Sequence, residues 1–434
     1  MKVFITTYGS RGDVQPYVAL GKRLLDSGHD VTLATSSRFQ DFVCDHGLKY
    51  GYMNDRLLAI VDTDQGRELL ENTNGVFAVV RRTLSMLKQV GPLQESLLEE
   101  CWNAARQCRP DCILFHPKAY GGPHYAEKLD VPVVLALPFP MFVPTGECPM
   151  IGFPNLRLGA WYNRMTYRAV NRLMALSAGK HVRRWRAQHG LRKQRRFDML
   201  HATDGREIPV LHAYSRLVLP QPSDWPESAT TTGYWFMDES KHGPPPSEIE
   251  SFLSAGDTPV YVGFGSMAGR DPERLTEIVV KAIQKANVRG ILVTGWGGLV
   301  RRELPDSILC VSAVPHDWLF PQVSAVVHHG GAGTTAAGLR AGRPTVVCPF
   351  FGDQPFWGDR VYQLGVGPKP IPQKQLTVEK LASAIKQTTS NSDIKTKAET
   401  LGSKLRQEDG IGTTIALIED LVRTHHAAAR RPAS

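Results

Sequence analysis

A chain of 434 residues with 42% apolar and 21% charged side chains is longer than one core usually serves, so two domains of about 200 residues each are expected. That composition excludes a largely disordered or fibrous chain. The net charge of +9 does not mark a nucleic-acid binder: 12 of the 51 Lys and Arg residues fall in Arg157–Arg196, which has no Asp or Glu, leaving 39 basic against 42 acidic side chains elsewhere.

Near the N-terminus, Val3-Phe4-Ile5 is too brief for a signal-peptide core or a membrane span. The longest later apolar stretch, Val131–Pro144, is cut by Pro132, Pro138 and Pro140. A cytoplasmic protein without a transmembrane helix is expected, with the basic block offering peripheral contact to a membrane. Its seven cysteines, none in a C-x-x-C pair, are expected to be reduced.

Lys2–Tyr8 reads as a strand. Pro16 stands where a helix would begin, Val18, Leu20, Leu24 and Leu25 supply its apolar face, and Gly28 ends it before a strand at Asp30–Ala34. Strands at Asp111–Phe115 and Val131–Leu135 flank a helix over Tyr120–Leu129, and this βαβ alternation runs through residues 1–218. Residues 219–246, rich in proline, read as a linker. Residues 247–405 alternate again, with strands at Val260–Phe264, Gly290–Thr294, Ile308–Val311, Ala325–His329 and Pro344–Pro349 and helices at Pro272–Asn287, Thr334–Ala341 and Pro355–Leu364. Residues 406–434 read as a helix packing across both domains, with a frayed end. The expected fold is α/β, two doubly wound domains facing a central cleft, with ligands at the carboxyl ends of the strands.

Three segments carry chemistry. After Ala325–His329 comes Gly330-Gly331-Ala332-Gly333-Thr334-Thr335, a glycine-rich turn opening a helix. Glycines allow close approach of a ligand, free amides and the helix dipole favour an anion such as a diphosphate, and His329 adds a ring N–H. One strand later, Asp353-Gln354 supplies an acceptor and a donor suited to sugar hydroxyls. The second segment, Gly9-Ser10-Arg11-Gly12-Asp13-Val14-Gln15-Pro16, follows the first strand. A carboxylate there can take a proton from an acceptor hydroxyl, or can simply order the loop. The third, His116–Leu129, starts at another strand end, where His116 can assist the base, and is followed by the Pro-, Phe- and Met-rich Leu137–Val143.

The stretch His328–Gln354 resembles the donor-binding signature of family 1 glycosyltransferases, and the resemblance runs over nearly the whole chain. It implies the two-domain GT-B fold and a nucleotide-sugar co-substrate, UDP-glucose or a relative, with no further cofactor and no metal. It implies that His329 contacts the α-phosphate, that Gly331, Ala332, Gly333 and Thr334 cradle the diphosphate, that Asp353 and Gln354 hold the hexose, and that Ser266 reaches the phosphates from the other side. Val311 stands where plant members place a tryptophan that stacks on uracil, which leaves base recognition to Val314, Pro315 and Trp318. The motif GSRGDVQP resembles that of sterol glucosyltransferases and antibiotic aglycone glycosyltransferases. It implies Asp13 as general base, with Ser10, Arg11 and Gly12 toward the donor. His116–Leu129 is similar to sterol glucosyltransferases in particular, implying an acceptor lined by Lys118, His124, Phe139, Met141 and Phe142, with His116 as second catalytic candidate. The implied reaction is inverting transfer of a hexose to a sterol or similar apolar hydroxyl compound. An antibiotic or polyphenol aglycone transferase, and a nucleotide-sugar epimerase or non-catalytic binder, remain as alternatives.

In the basic block, Tyr162, Met165, Ala169, Leu173 and Leu176 recur at helical spacing beside Arg164, Arg168 and Arg172. Such a helix suits an anionic membrane surface, or is simply a solvated face. Asp62-Thr63-Asp64 is read as a helix cap and not a metal motif. Gly263-Phe264-Gly265 departs from a dinucleotide fingerprint, because the third glycine, Gly269, comes one residue late and no acid stands about 20 residues on.

Overall fold

The computed structural model describes residues 1–61, 76–194, 197–237, 247–265, 271–295, 299 and 304–429. Asp62, Asp64, Arg195, Arg196, Ser266 and Gly269 lie outside them. The chain divides into two compact units, the first made of residues 1–216, 220–237 and 409–434, the second of 217–219 and 238–408.

In the first unit, strands β1 (Lys2–Thr6), β2 (Asp30–Ser36), β3 (Lys49–Met53), β4 (Cys112–Phe115), β5 (Val133–Leu137), β6 (Val210–His212) and β7 (Ala229–Thr231) form one parallel sheet in the order β3-β2-β1-β4-β5-β6-β7. Both faces are covered, which is why these strands read as continuous apolar runs. Along β1, Val3 and Ile5 enter one core with Leu114 of β4, while Phe4 enters the other with Ile113 and Phe115. The helices include α1 (Arg11–Asp26), α4 (Val76–Cys108), α5 (Gly122–Leu129) and α6 (Gly159–Gln188), with the short α2 (Gln40–Asp45) and α3 (Arg56–Val61) between the first two. The last helix (Gly410–Ala429) adds Ile415, Ile418 and Val422 to the same core as β1 and α1, and its Thr414 hydroxyl accepts from Trp235 Nε1 at 2.9 Å.

The helix α1 starts at Arg11, five residues before the proline that marked its expected start. Ser10 sits at the N-cap with extended backbone, and the Asp13 side chain reaches back to its amide. That satisfies one of the free N-terminal donors, so the helix nucleates ahead of Pro16. Pro16 then sits inside the helix and forfeits the one hydrogen bond it would have given to the Gly12 carbonyl.

The second unit has a parallel sheet in the order β10-β9-β8-β11-β12, from β8 (Val260–Gly263), β9 (Gly290–Val293), β10 (Ile308–Val311), β11 (Ala325–His328) and β12 (Thr345–Val347). Its two faces hold separate cores, one around Val262, Val279 and Val327, the other around Tyr261, Phe320 and Val326. Helices α7 (Ser247–Ser254), α8 (Pro272–Ala286), α9 (His316–Leu319), α10 (Ala332–Arg340), α11 (Gln354–Gln363), α12 (Val378–Ser390) and α13 (Ser392–Leu405) complete it.

Each sheet reverses its strand order at one point. In the first unit this lies between β1 and β4, in the second between β8 and β11. A doubly wound sheet opens its ligand crevice there, beyond the carboxyl ends of the two strands.

Candidate active site

At the switch point of the first sheet, β1 and β4 are paired up to Thr6 and Phe115, and the His116 amide donates to the Thr6 carbonyl at 2.8 Å. The residues just beyond therefore meet, although 105 positions separate Asp13 from Lys118. Asp13 is 8% exposed. Its Oδ2 accepts from the Ser10 amide (2.8 Å), the Ser10 hydroxyl (3.0 Å) and Lys118 Nζ (2.8 Å). Oδ1 receives no hydrogen bond among the described residues and faces His116 Nε2 at 3.6 Å. Burial would raise the Asp13 carboxyl, but the charge of Lys118, with the hydrogen bonds from Lys118 and the Ser10 amide, outweighs it and holds the group below its usual value.

His116 is fully buried, with its ring edge-on to Tyr17 (5.9 Å) and Phe139 (6.2 Å). Its Nδ1 accepts from the Lys118 amide at 3.2 Å, which puts the proton of the neutral ring on Nε2, toward Asp13. Burial pushes His116 down to about 4 against the pull of Asp13, with Lys118 adding to the depression, so the ring is neutral near pH 7. The geometry also depends on Gly9. Its φ is +145°, and a Cβ there would stand 2.2 Å from Asp13 Oδ2.

At the second switch point, His328 ends β11 fully buried and its Nδ1 accepts from the Gly330 amide at 2.9 Å. Gly330 has φ +94° and lies where a Cβ would be 2.6 Å from Val347. His329 follows, pushed by burial down to about 4, and its buried Nδ1 has no hydrogen-bond partner among the described residues. Gly331 is the N-cap of α10, so that helix starts two residues before the expected Thr334. A Cβ on Gly331 would be 2.6 Å from His329 Nε2, whereas one on Gly333 would meet nothing within 4 Å. The first helical bond runs from the Thr335 amide to the Gly331 carbonyl (2.9 Å), so the amides of Ala332, Gly333 and Thr334 have no carbonyl of the helix to bond. The first turn holds no acidic residue and no side chain caps it.

Beside this turn, Gln354 is 5% exposed and its Oε1 accepts from the Phe350 amide at 2.8 Å, so its amide NH2 is the end left for a ligand. Asp353 Oδ2 accepts from Trp357 Nε1 at 2.9 Å. Pro315 caps α9 and Val314 precedes it, while the half-buried Trp318 packs against the core around Phe320. Val311 is buried at the end of β10.

The remaining expected site residues fall as follows. Lys118, anticipated at the acceptor, is ion-paired with Asp13. His124 is 2% exposed, with Nδ1 3.2 Å from Arg186 Nη1. Burial, aided by Arg186, pushes it down to about 3, and it packs beside the Arg186–Glu127 pair. Phe142, at φ +69°, is a 4% exposed core residue, whereas Phe139 and Met141 are partly exposed. Ser10 holds Asp13, and Arg11 donates to Gln15 Oε1 (3.1 Å) and lies 4.9 Å over the Phe42 ring. The sequence reading missed Gly9 and the Lys118 pairing. The Gly9-Ser10 step was the available signal for the first, while the second has no local signature.

Residues 3–145 match the family model for the glycosyltransferase family 28 N-terminal domain, and residues 295–409 match that for the erythromycin biosynthesis protein CIII-like C-terminal domain. The chain is similar to two sterol 3-beta-glucosyltransferases of Arabidopsis thaliana. One is 38% identical over 423 residues, covering 96% of this chain and 64% of the relative, and the other is 37% identical over 428, covering 96% and 67%. One from Emericella nidulans is 38% identical over 440 residues, covering 97% of this chain and 30% of the relative. The chain thus spans about two thirds of the plant proteins and less than a third of the fungal one. Among solved structures, the glycotransferase of kitacinnamycin superposes with a TM-score of 0.69 at 21% identity, over 96% of this chain and 98% of that one, which is the GT-B fold. Both switch-point clusters lie inside the two matched segments, and with the plant relatives matched over 96% of its length this chain belongs to the sterol 3-beta-glucosyltransferase family of glycosyltransferases.

Proposed function

We propose that the chain transfers glucose from UDP-glucose to the hydroxyl of a sterol or similarly flat apolar acceptor, with inversion at the anomeric carbon. The observation that carries the chemistry is the Asp13 carboxylate, held charged through Oδ2 with Oδ1 left open. Oδ1 takes the hydroxyl proton, the acceptor oxygen forms a bond to the anomeric carbon, and the bond from that carbon to the diphosphate oxygen breaks. The departing UDP carries the negative charge. The amides of Ala332, Gly333 and Thr334 and the His329 ring are the donors that offset it, without reorganising during the reaction. His116 steadies Oδ1 through its Nε2–H, and Phe139 and Met141 line the acceptor. Asp353 and the Gln354 amide NH2 hold the hexose, Val314 and Pro315 the base, and Ser266 the phosphates. The segment Arg157–Arg196 meets an anionic membrane peripherally. Among the described residues no helix is long and apolar enough to cross one.

UDP release is the direct test, measured with cholesterol, with a flavonoid and with no acceptor. Release that requires cholesterol is the expected result. Release that requires the flavonoid instead moves the reading to polyphenol aglycones, and release indifferent to both overturns the transfer reaction in favour of hydrolysis or epimerisation.

A further inference from the structure

The helix α6 buries Thr166, Tyr167, Ala178, Val182 and Trp185 on one side. An ordinary surface helix presents polar residues on the other. Here the outer side is apolar: Trp161 and Leu176 are each 72% exposed, Leu173 66% and Met165 37%, and the approach to the helix adds Leu158 (62%), Leu156 (53%) and Phe153 (39%). Positions 158, 161, 165, 173 and 176 fall on one stripe at helical spacing, with exposed Ala169 between. Isolated exposed apolar side chains are normal, but a contiguous run of this kind marks an interaction surface.

Its surroundings indicate what covers it. Arg157, Arg168, Arg172, Lys180 and Arg183 are exposed along the same segment, which contains no acidic residue. Of the outer arginines, Arg164 is neutralised by Asp224 at 2.7 Å and Arg184 by Glu95 at 3.1 Å. An apolar centre edged by cations that have no ion-pair partner among the described residues complements a bilayer with anionic headgroups, and tryptophan favours the boundary between headgroup and acyl chain.

We propose that this stripe is a membrane-insertion surface. Leu156, Leu158, Trp161, Leu173 and Leu176 enter the upper acyl region while the flanking Arg and Lys side chains reach the lipid phosphates. Charge alone would give a loosely held, fully salt-sensitive contact, whereas the stripe adds a component that salt does not screen. The inner face of the same helix holds the segment after β5: Asn171 Nδ2 donates to the Phe142 carbonyl (2.9 Å), Asn163 Nδ2 to the Gly146 carbonyl (2.8 Å), and Thr166 Oγ1 accepts from the Met150 amide (2.9 Å). The surface that meets lipid is thus one helix thickness from the segment proposed to line the acceptor. That link to catalysis rests on the sterol reading, but the docking does not.

Sedimentation of the full chain with phosphatidylcholine vesicles, and with vesicles that also contain phosphatidylserine, tests it. The chain is expected to pellet with the anionic vesicles and to retain part of that binding in high salt. The triple variant Trp161→Ser, Leu173→Ser, Leu176→Ser changes only exposed side chains and is expected to bind at least tenfold more weakly. It should melt like the parent and glucosylate cholesterol in cyclodextrin at the parent rate. Equal vesicle binding by parent and variant overturns the proposal, as does a parent that ignores anionic vesicles. A parent that light scattering shows to be a dimer, with a monomeric variant, overturns it in favour of a second copy as the occupant. Failure of the sterol reading looks different: vesicle binding follows this pattern while neither form acts on cholesterol.

Discussion

Each sheet launches a helix just past a strand at its switch point, and the two helices treat their first amides in opposite ways. In α1 the N-cap is Ser10 and the first turn contains Asp13, whose carboxylate accepts from the Ser10 amide. The positive end of that helix already has its anion. In α10 the N-cap is Gly331, the first turn has no acid, and Gly333 faces open space. There the same dipole is unspent. One topology therefore yields a site that keeps a carboxylate ionised inside the fold and a site that awaits a negative charge from outside. Both keep a buried histidine neutral beside the anion, His116 and His329, each at about 4.

The comparison breaks most visibly if the first site's own anion is removed. Asp13→Asn keeps the shape but loses the proton acceptor, so kcat should fall by about 10² to 10⁴-fold while UDP affinity, measured by calorimetry, stays at the parent value. A rate within a few-fold of the parent ends the base assignment.

Next in size is the pH dependence shared by the two histidines. Their folded values lie below the 6.5 of an exposed histidine. Their contribution to stability is therefore complete above pH 6.5 and is lost as the pH falls toward 4, because the unfolded chain takes up protons first. Each should cost about 1.4 kcal/mol per pH unit in that window. Urea midpoints between pH 7 and 4.5 should fall steeply for the parent and less steeply for His116→Gln combined with His329→Gln. Parallel slopes would mean that neither ring is buried neutral.

Giving the second helix the anion that the first already has sharpens the contrast. Gly333→Asp places a carboxylate where a Cβ meets nothing, so the fold should melt no lower. UDP binding should weaken by about 10 to 30-fold, in line with up to about 2 kcal/mol for a charge at a helix terminus. Unchanged UDP affinity would place the diphosphate elsewhere.

The smallest effect concerns Lys118. Its ammonium helps hold Asp13 below the usual carboxylate value, so Lys118→Met should move the acidic limb of the kcat/KM profile upward with only a few-fold change at neutral pH, and Lys118→Arg should leave the limb in place. If Lys118 instead served the acceptor, KM for the sterol would change and the limb would not.

Much of this is legible in the sequence. Strands such as Val3-Phe4-Ile5 and Ala325–His328 are buried on both faces, and their unbroken apolar runs announce that. The glycine-rich turn after β11 is equally readable, because close backbone approach needs glycine wherever it occurs. The start of α1 was misplaced because a proline at the first helical turn is a common signal and outweighed a second one, the spacing of Ser10 and Asp13, whose side chain reaches back to its own cap. The place of His124 at the acceptor rests on the resemblance of its segment, and the structure buries its side chain. Which face of an eight-residue helix is buried is set by what packs on it, here Arg186 from 62 residues away.

What the sequence determined by itself is the local material: strand runs, a glycine-rich turn with a histidine before it, a carboxylate after the first strand, a cationic segment free of acids. These depend on neighbours in the chain and on the period of the element, so the chain order carries them. What only the tertiary structure decided is which oxygen of Asp13 is free and which way the leucines of α6 face. The first follows from β1 and β4 lying side by side, which brings Lys118 onto Oδ2. The second follows from the helix spending its other face on Tyr167, Val182 and Trp185. Both outcomes arise from packing between residues distant in the chain, and no periodicity encodes them.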